Sequence, residues 1–325
     1  MARTRLYRNG VLEKENFPVD DISDSVNDAG VVVWLDLCIA DGEGLEAVEE
    51  EFGLHALAIE DAAHERQRPK LDHYATHLFI SAYSVGVDPK TSELTSREIA
   101  LFVMHNALIT VRKDREFDIE QVMSRWDAAP ELIKEGAGFL LYGVLDYIVD
   151  THFEAVQDLD EKIDALEDDL FDDTRNLVRE VQRNSFELRK NVVLLRRFVL
   201  PMREVVNSLM RRGEHDVVSD ALMPYYQDVY DHVLRATEWT ESLRDLVSTV
   251  LETNLTIQGN RMNLIMKQVT SWAAIIAVPT AVTGFYGQNL PYPGFQHTSG
   301  FIASSLLIAL GSGGLYWIFR RKDWI

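Results

Sequence analysis

The hydrophobic pattern changes character once along the chain, near residue 135. Before it, short β-branched and aromatic runs alternate with short amphipathic stretches. Residues 31–37, 77–85, 98–104 and 108–112 are runs suited to buried strands, and the break at His105 and Asn106 reads as a hairpin turn. Residues 44–52, 55–63 and 116–126 repeat apolar side chains at helical spacing instead. From Gly138 onward the helical period holds. Residues 139–170 predict one long helix. A second starts at Asp173 and Thr174, reaches Arg212 and stops at Gly213. Within it Pro201 should either kink the helix or sit where a partner restores the lost hydrogen bond. A third helix begins near Pro224, a residue suited to a first turn. It runs with no stop signal from Tyr225 to Gly287, roughly 90 Å at 1.5 Å per residue. Residues 290–299 are rich in breakers and aromatics, and residues 300–319 form one more apolar helix.

The end of the third helix is the informative part. Residues 269–287 carry no charged side chain, about the length needed to cross a bilayer. Stepping back at helical spacing, Gly284, Thr280, Ala277, Ala273, Thr270, Met266 and Asn263 share one face. They are mostly small or hydroxyl-bearing. The other face presents Trp272, Ile275, Ile276, Val282 and Phe285. A small, weakly polar stripe on a spanning helix faces either another helix at close range or a water-filled path. This one continues through Gly259 and Thr256 to Glu252, well before the membrane, which favours the path. Arg261 and Lys267 flank the start of the first span, and Arg320, Arg321 and Lys322 follow the second, while the connecting loop has no cation. Both termini are therefore expected in the cytosol, with the chain in a cell (inner or plasma) membrane. The first ten residues have no apolar core and do not read as a secretory signal.

Charge narrows the partners. The formal net charge is -20, which disfavours nucleic acid, since phosphate binding needs a basic surface. After Glu252 the only acidic residue is Asp323, so nearly all the negative charge precedes the spans. A single cysteine, Cys38, rules out an intramolecular disulfide and suits a reducing compartment. Acids crowd residues 158–173. This is either a solvated helix face or a place where divalent cations collect. His55, His64, His73 and His77 cluster in sequence without the spacing of a metalloprotease helix, and they read as dispersed surface histidines. There is no glycine-rich phosphate loop, nucleophile elbow or catalytic acid pair, so neither an enzyme nor an organic cofactor is expected.

Tyr286-Gly287-Gln288-Asn289, closing the first of two C-terminal spans, resembles the Gly-Met-Asn signature of the CorA family of magnesium and cobalt channels. The approach from Asn263 to Thr270 is similar to that family's. So are Leu57-Ala58-Ile59-Glu60-Asp61 with the later Gln67-Arg68-Pro69-Lys70-Leu71-Asp72, and the basic tail from Phe319 to Trp324. The resemblance covers nearly the whole chain. It implies a homopentamer: an α+β cytosolic domain (residues 1–135), long cytosolic helices forming a funnel (136–265), and a two-helix transmembrane domain (266–325). It implies a selectivity filter at Gly287, Gln288 and Asn289 at the outer mouth, and a pore lined by the stripe from Asn263 to Gly284. It implies a basic ring at Arg320, Arg321 and Lys322. It also implies Mg2+ (and Co2+) as cargo, with cytosolic Mg2+ bound between subunits holding the pore shut. Glu60, Asp61, Asp72 and Glu252 are the candidate regulatory ligands. Five Asn289 carboxamides can accept hydrogen bonds from the water shell that Mg2+ sheds reluctantly. Without the family, Asn289 reads equally well as a helix C-cap. Gln288 stands where the family has methionine, and the loop lacks the acid many members carry. The superfamily includes the zinc transporter ZntB, so proton-coupled zinc import is the alternative, and a membrane-anchored scaffold or sensor is a second.

Overall fold

The structure is a computed structural model. It describes residues 2–22, 28, 30–42, 45–64, 68–171, 178–211, 217–288, 291–292 and 294–325. These fall into two units, Met1–Val250 and Leu251–Ile325.

The first unit is built on a seven-stranded sheet of order β2-β1-β3-β7-β6-β5-β4. Its strands are β1 (Arg3–Arg8), β2 (Val11–Glu15), β3 (Val31–Cys38), β4 (Lys70–His73), β5 (Leu78–Val87), β6 (Leu94–Val103) and β7 (Ala107–Arg112). Among the described strands, β3 and β7 pair in parallel and the other neighbours are antiparallel. The four sequence runs read as strands are the four central ones. They are continuously apolar because both faces of the sheet are covered, as buried strands require. Trp34, Ile99, Leu101 and Leu108 point into one core, and Val33, Leu35, Phe102 and Ile109 into the other. The second core is closed by α1 (Glu46–Phe52) and α2 (Ala56–Ala63). The first is closed by α3 (Ile119–Ala128), α4 (Ala137–Phe171), α5 (Val178–Met210) and the beginning of α6 (Met223–Tyr286).

Strands β1, β2 and β4 have no apolar run to announce them. β1 reads Arg-Thr-Arg-Leu-Tyr-Arg, and Arg5 is buried in it because its guanidinium binds Glu15 at 2.8 Å and Asp127 at 2.9 Å. The change of pattern near residue 135 marks a change of secondary structure, not a break in the core. Trp126 stands in edge-to-face contact with Trp34, 5.0 Å between centroids, and donates its indole N–H to the Leu140 carbonyl at 3.1 Å. A Cβ on Gly143 of α4 would lie 2.4 Å from that indole nitrogen, so only glycine lets the helix approach the ring. Sheet and helices thus share one interior within the compact unit Met1–Val250. The helix start at Asp173–Thr174 and the stop at Gly213 lie outside the described residues. Helix α5 continues through Pro201.

In the second unit the rest of α6 is followed by α7 (Thr298–Arg321). Both helices are long and apolar enough to cross a membrane, and almost nothing in the chain covers their apolar stretches. A buried helix of a water-soluble core would be covered; these are not. Pro279 sits inside α6 and has no N–H to give the Ile275 carbonyl one turn back. Ser312 of α7 supplies the missing donor: its hydroxyl lies 3.3 Å from the Ile275 oxygen. Lipid offers no donor, so a freed carbonyl there must be answered by protein.

Candidate functional site

Helix α6 has three faces in the second unit. One packs against α7: Ser271 is buried, Ala274, Ile275 and Val278 are half-buried, and a Cβ on Gly311 of α7 would lie 2.9 Å from Val278 Cγ1. A second, with Trp272, Ile276 and Phe285, is apolar and exposed. The third is the stripe. Asn263, Met266, Thr270, Ala273, Ala277, Thr280 and Gly284 are all exposed. Apart from the helix's own nearby backbone, no heavy atom lies within 4 Å of the place where a Cβ on Gly259 or Gly284 would stand. The chain's own second span therefore does not use the small residues of this face for close packing.

Three hydroxyls on or beside the stripe are turned back to the helix. Thr256 donates to the Glu252 carbonyl at 2.9 Å, Thr280 to Ile276 at 3.0 Å and Thr283 to Pro279 at 2.8 Å. Each hydroxyl oxygen keeps lone pairs free to accept from water. The face is dipolar and carries no net charge. At the end of α6, Gly287 donates its N–H to the Thr283 carbonyl at 2.8 Å, and a Cβ there would lie 2.9 Å from that oxygen. Gln288 is exposed, and its N–H bonds the Phe285 carbonyl at 3.3 Å. Asn289, the residue expected to form the carboxamide ring, lies outside the described residues. Beyond it Tyr292 returns to the helix end: its hydroxyl donates to the Tyr286 carbonyl at 3.2 Å, and the two rings meet edge-to-face at 5.0 Å.

The tail after α7 folds back on itself. Trp324 N–H bonds the Phe319 carbonyl at 3.0 Å, and the two rings stack at 5.6 Å. Arg321 lies 5.4 Å from the Trp317 ring, Lys322 lies 5.8 Å from the Trp324 ring, and Arg320 donates to the Tyr316 hydroxyl at 3.3 Å.

Among the candidate regulatory ligands, two converge. Asp61 at the end of α2 and Asp72 on β4 hold Lys70 Nζ at 2.6 Å and 2.7 Å. Burial works to lower the pKa of that amine, but the two carboxylates prevail and raise it. Glu60 is exposed beside them, on the same open groove with His73 and Tyr74. Glu252 is exposed on α6 in the second unit. The acidic run behaves as a helix face in water: Asp158, Asp164 and Asp168 are exposed while Leu159, Ile163 and Leu166 are buried, and Asp172 and Asp173 lie outside the described residues. His55 caps α2 by accepting from Leu57 N–H at 3.2 Å. The His64 ring bonds the Glu60 carbonyl at 2.8 Å, and His77 is buried beside Tyr74 and Phe102.

One grouping left no mark in residue order. Asp146, Asp150 and His232 bring possible ligand atoms within 4.8 Å of one another. Arg125 bonds both carboxylates, to Asp150 at 2.7 Å, and so fills the position a cation would take. Burial pushes the Asp146 carboxyl above its ordinary value, with Arg125 pulling the other way. Asp146 and Asp150 are one turn apart on α4, which is visible in the sequence. That His232 of α6 joins them is decided by packing.

A sheet domain is followed by two uncovered helices long and apolar enough to cross a membrane, the first of them 64 residues long. The family model described as "CorA-like Mg2+ transporter protein" matches residues 29–321. The chain belongs to this family of divalent-cation transporters, which is not a family of enzymes. It is 28% identical over 301 residues to the cobalt/magnesium transport protein CorA of Thermotoga maritima, covering 92% of this chain and 85% of that one. It is 30% identical over 294 residues to the putative metal ion transporter YfjQ of Bacillus subtilis, covering 90% and 89%. The zinc transport protein ZntB of Pectobacterium carotovorum is 24% identical over 282 residues, covering 81% and 79%. In fold, the chain matches the complete structure of the CorA magnesium transporter from Methanocaldococcus jannaschii with a TM-score of 0.79. That match is 21% identical and covers 100% of this chain and 99% of that one.

Proposed function

We propose that five copies of this chain form a channel that admits hydrated Mg2+ and Co2+ to the cytosol, driven by the membrane potential. The observation that carries the reading is the uncovered dipolar stripe on α6, which α7 leaves open while packing on the face beside it. A tether needs no such face. Neutral oxygens suit a strongly hydrated ion, because they hold its water shell without binding it too tightly to leave. Gly287, Gln288 and Asn289 form the filter at the outer mouth, and Arg320, Arg321 and Lys322 the basic ring at the cytosolic end. Both termini lie in the cytosol. A divalent cation moving inward down 100 mV gains about 4.6 kcal/mol, so no nucleotide is required.

Gating follows from the charge asymmetry. Acidic funnels gathered around one axis repel, by roughly 3 kcal/mol for a pair about 5 Å apart at an effective dielectric near 20. Cytosolic Mg2+ held between subunits, with Glu60, Asp61 and Asp72 as one set of candidate ligands and Glu252 as a separate one, removes that repulsion and favours the closed state. To act there it must displace Lys70 from Asp61 and Asp72, which makes the site weak and suits it to millimolar Mg2+.

Flux of Mg2+, Co2+ and Zn2+ into liposomes holding the purified protein is the direct test. Uptake should rise with an inside-negative potential and fall at least tenfold in Asn289→Ala with assembly intact. Normal uptake by that variant sinks the filter reading. Zinc transport by relatives such as ZntB, together with Gln288, keeps proton-coupled Zn2+ import as a second reading. Strict dependence of flux on a proton gradient would establish it.

A further inference from the structure

Between Lys267 and Arg320 the chain has no aspartate, glutamate, lysine or arginine, and it has one histidine, His297. The other eight histidines all precede the first span. The other ionisable side chains between the two cations are phenols, of Tyr286, Tyr292 and Tyr316, a type that stays neutral below about pH 9. Around physiological pH, then, one side chain can change the charge of the spans and of the loop that joins them.

The fold fixes where that side chain stands. Phe295 N–H bonds the Tyr292 carbonyl at 2.9 Å, and His297 N–H bonds the Gly294 carbonyl at 3.0 Å. The Tyr292 ring rests on Tyr286, at the end of α6. Two left-handed residues, Gly294 at φ 91° and Gln296 at φ 62°, tighten the turn. A Cβ on Gly294 would lie 3.0 Å from Gly300, so the turn closes directly onto the start of α7. The described part of the loop, residues 292 and 294–297, thus lies against the end of α6 and the start of α7. His297 is the N-cap residue of α7, yet its ring makes no capping hydrogen bond and is exposed. Tyr286 and Tyr292 are the titratable groups facing the turn, and none of the residues of α6 or α7 packed there is charged.

We infer that His297 makes cation entry sensitive to external pH: protonation of one His297 in each of the five subunits turns an uncharged mouth into a positive one that repels divalent cations. The inference rests on the channel reading above. It also bears on the alternative, because the spans offer no carboxylate through which a proton could be carried alongside the metal. Histidine is the side-chain type that switches charge nearest physiological pH, which is why external pH is the variable to step. Nothing else in the loop offsets or dilutes the added charge.

The test is Mg2+ current across excised patches of the assembled full chain, with the cytosolic face held at pH 7.5 and the loop face stepped from pH 8 to 5.5. Mg2+ is the probe because it prefers oxygen ligands to imidazole, so the effect reports charge and not coordination. Wild-type current should fall several-fold, to about tenfold, at 0.1 M salt, and the fall should shrink at 1 M salt, where the screening length drops to about 3 Å. His297→Gln should conduct as wild type does at pH 8 and show no fall. His297→Lys should conduct poorly at both values. A wild-type current that ignores external pH, or a Gln variant that keeps the full decline, overturns the inference while leaving the channel reading in place. Absence of wild-type Mg2+ current at pH 8 overturns the channel reading and this inference with it.

Discussion

In the sheet unit the Asp36 carboxylate is buried, accepting from the Thr110 hydroxyl at 2.7 Å and from Arg112 Nε at 2.9 Å. In the second unit the buried polar side chains among the described residues are Asn254, which accepts from Gln258, and Ser271, and around Ser271 the polar bonds run from hydroxyls to backbone carbonyls. The first unit takes charge inside and pairs it, as it does with Arg5 and with Arg125. The second admits dipoles alone across residues 268–319. The difference follows from the surroundings. A folding chain in water can bring a charge and its partner together while both stay partly hydrated, whereas a bilayer gives no such help and an intramembrane charge is costly throughout. A cation path through such a unit has to be built from carbonyls, hydroxyls and carboxamides. The stripe carries the hydroxyls of Thr270 and Thr280 and the carboxamide of Asn263, which is why it is proposed above as that path.

The largest effect that sharpens the contrast is at Asp36. Asp36→Ala leaves Arg112 buried beside an empty place, and the sheet unit should lose about 3–5 kcal/mol. A shift in its melting temperature measures this, and a loss below about 1 kcal/mol would mean that the pair is not what holds β3 to β7.

The membrane unit should respond to charge according to face. Ile276→Lys, on the exposed apolar face, should impair insertion by about 2.5–3.5 kcal/mol. Ala277→Lys, one residue on but on the stripe, should insert and assemble while cation flux is lost. Equal insertion defects in the two variants would show that the stripe does not face water.

A smaller effect comes from His152, fully buried in the sheet unit, whose Nε2 donates to the Tyr83 carbonyl at 2.7 Å. Its Nδ1 has no partner among the described residues. Burial lowers its pKa from the ordinary 6.5 to about 4. Between those values the unfolded chain binds a proton that the folded chain refuses. Stability is therefore full above about pH 6.5 and declines as pH falls toward 4, by at most about 3 kcal/mol. His152→Gln should flatten that part of the pH profile in thermal melts. A wild-type profile already flat there would show that the ring takes a proton in place.

The smallest effect is expected at Ser312. Ser312→Ala removes the donor to the Ile275 carbonyl beside Pro279, at about 0.6–1 kcal/mol, read as a lower melting temperature of the detergent-solubilised assembly. Val in its place should cost more, since a larger side chain also has to fit against α6.

Much of this molecule was legible from residue order. The four central strands, the long helices, both spans, the stripe and the isolation of His297 all follow from local periodicity or from which residue types are missing. Those signals survive because burial on both faces of a sheet, or along an entire helix, leaves a continuous mark on neighbouring residues. β1, β2 and β4 left no such mark. They are edge or near-edge strands whose polar side chains face water or are paired, Lys70 with the nearby Asp61 and Asp72 and Arg5 with Asp127, 122 residues away. Only the tertiary structure joined β3 to β7 in parallel, brought Asp146 and Asp150 to His232, and set Ser312 opposite the carbonyl that Pro279 leaves open, 37 residues back at Ile275. Each is a pairing between distant segments. Periodicity states which face of a segment is buried; what it is buried against is settled when the segments pack.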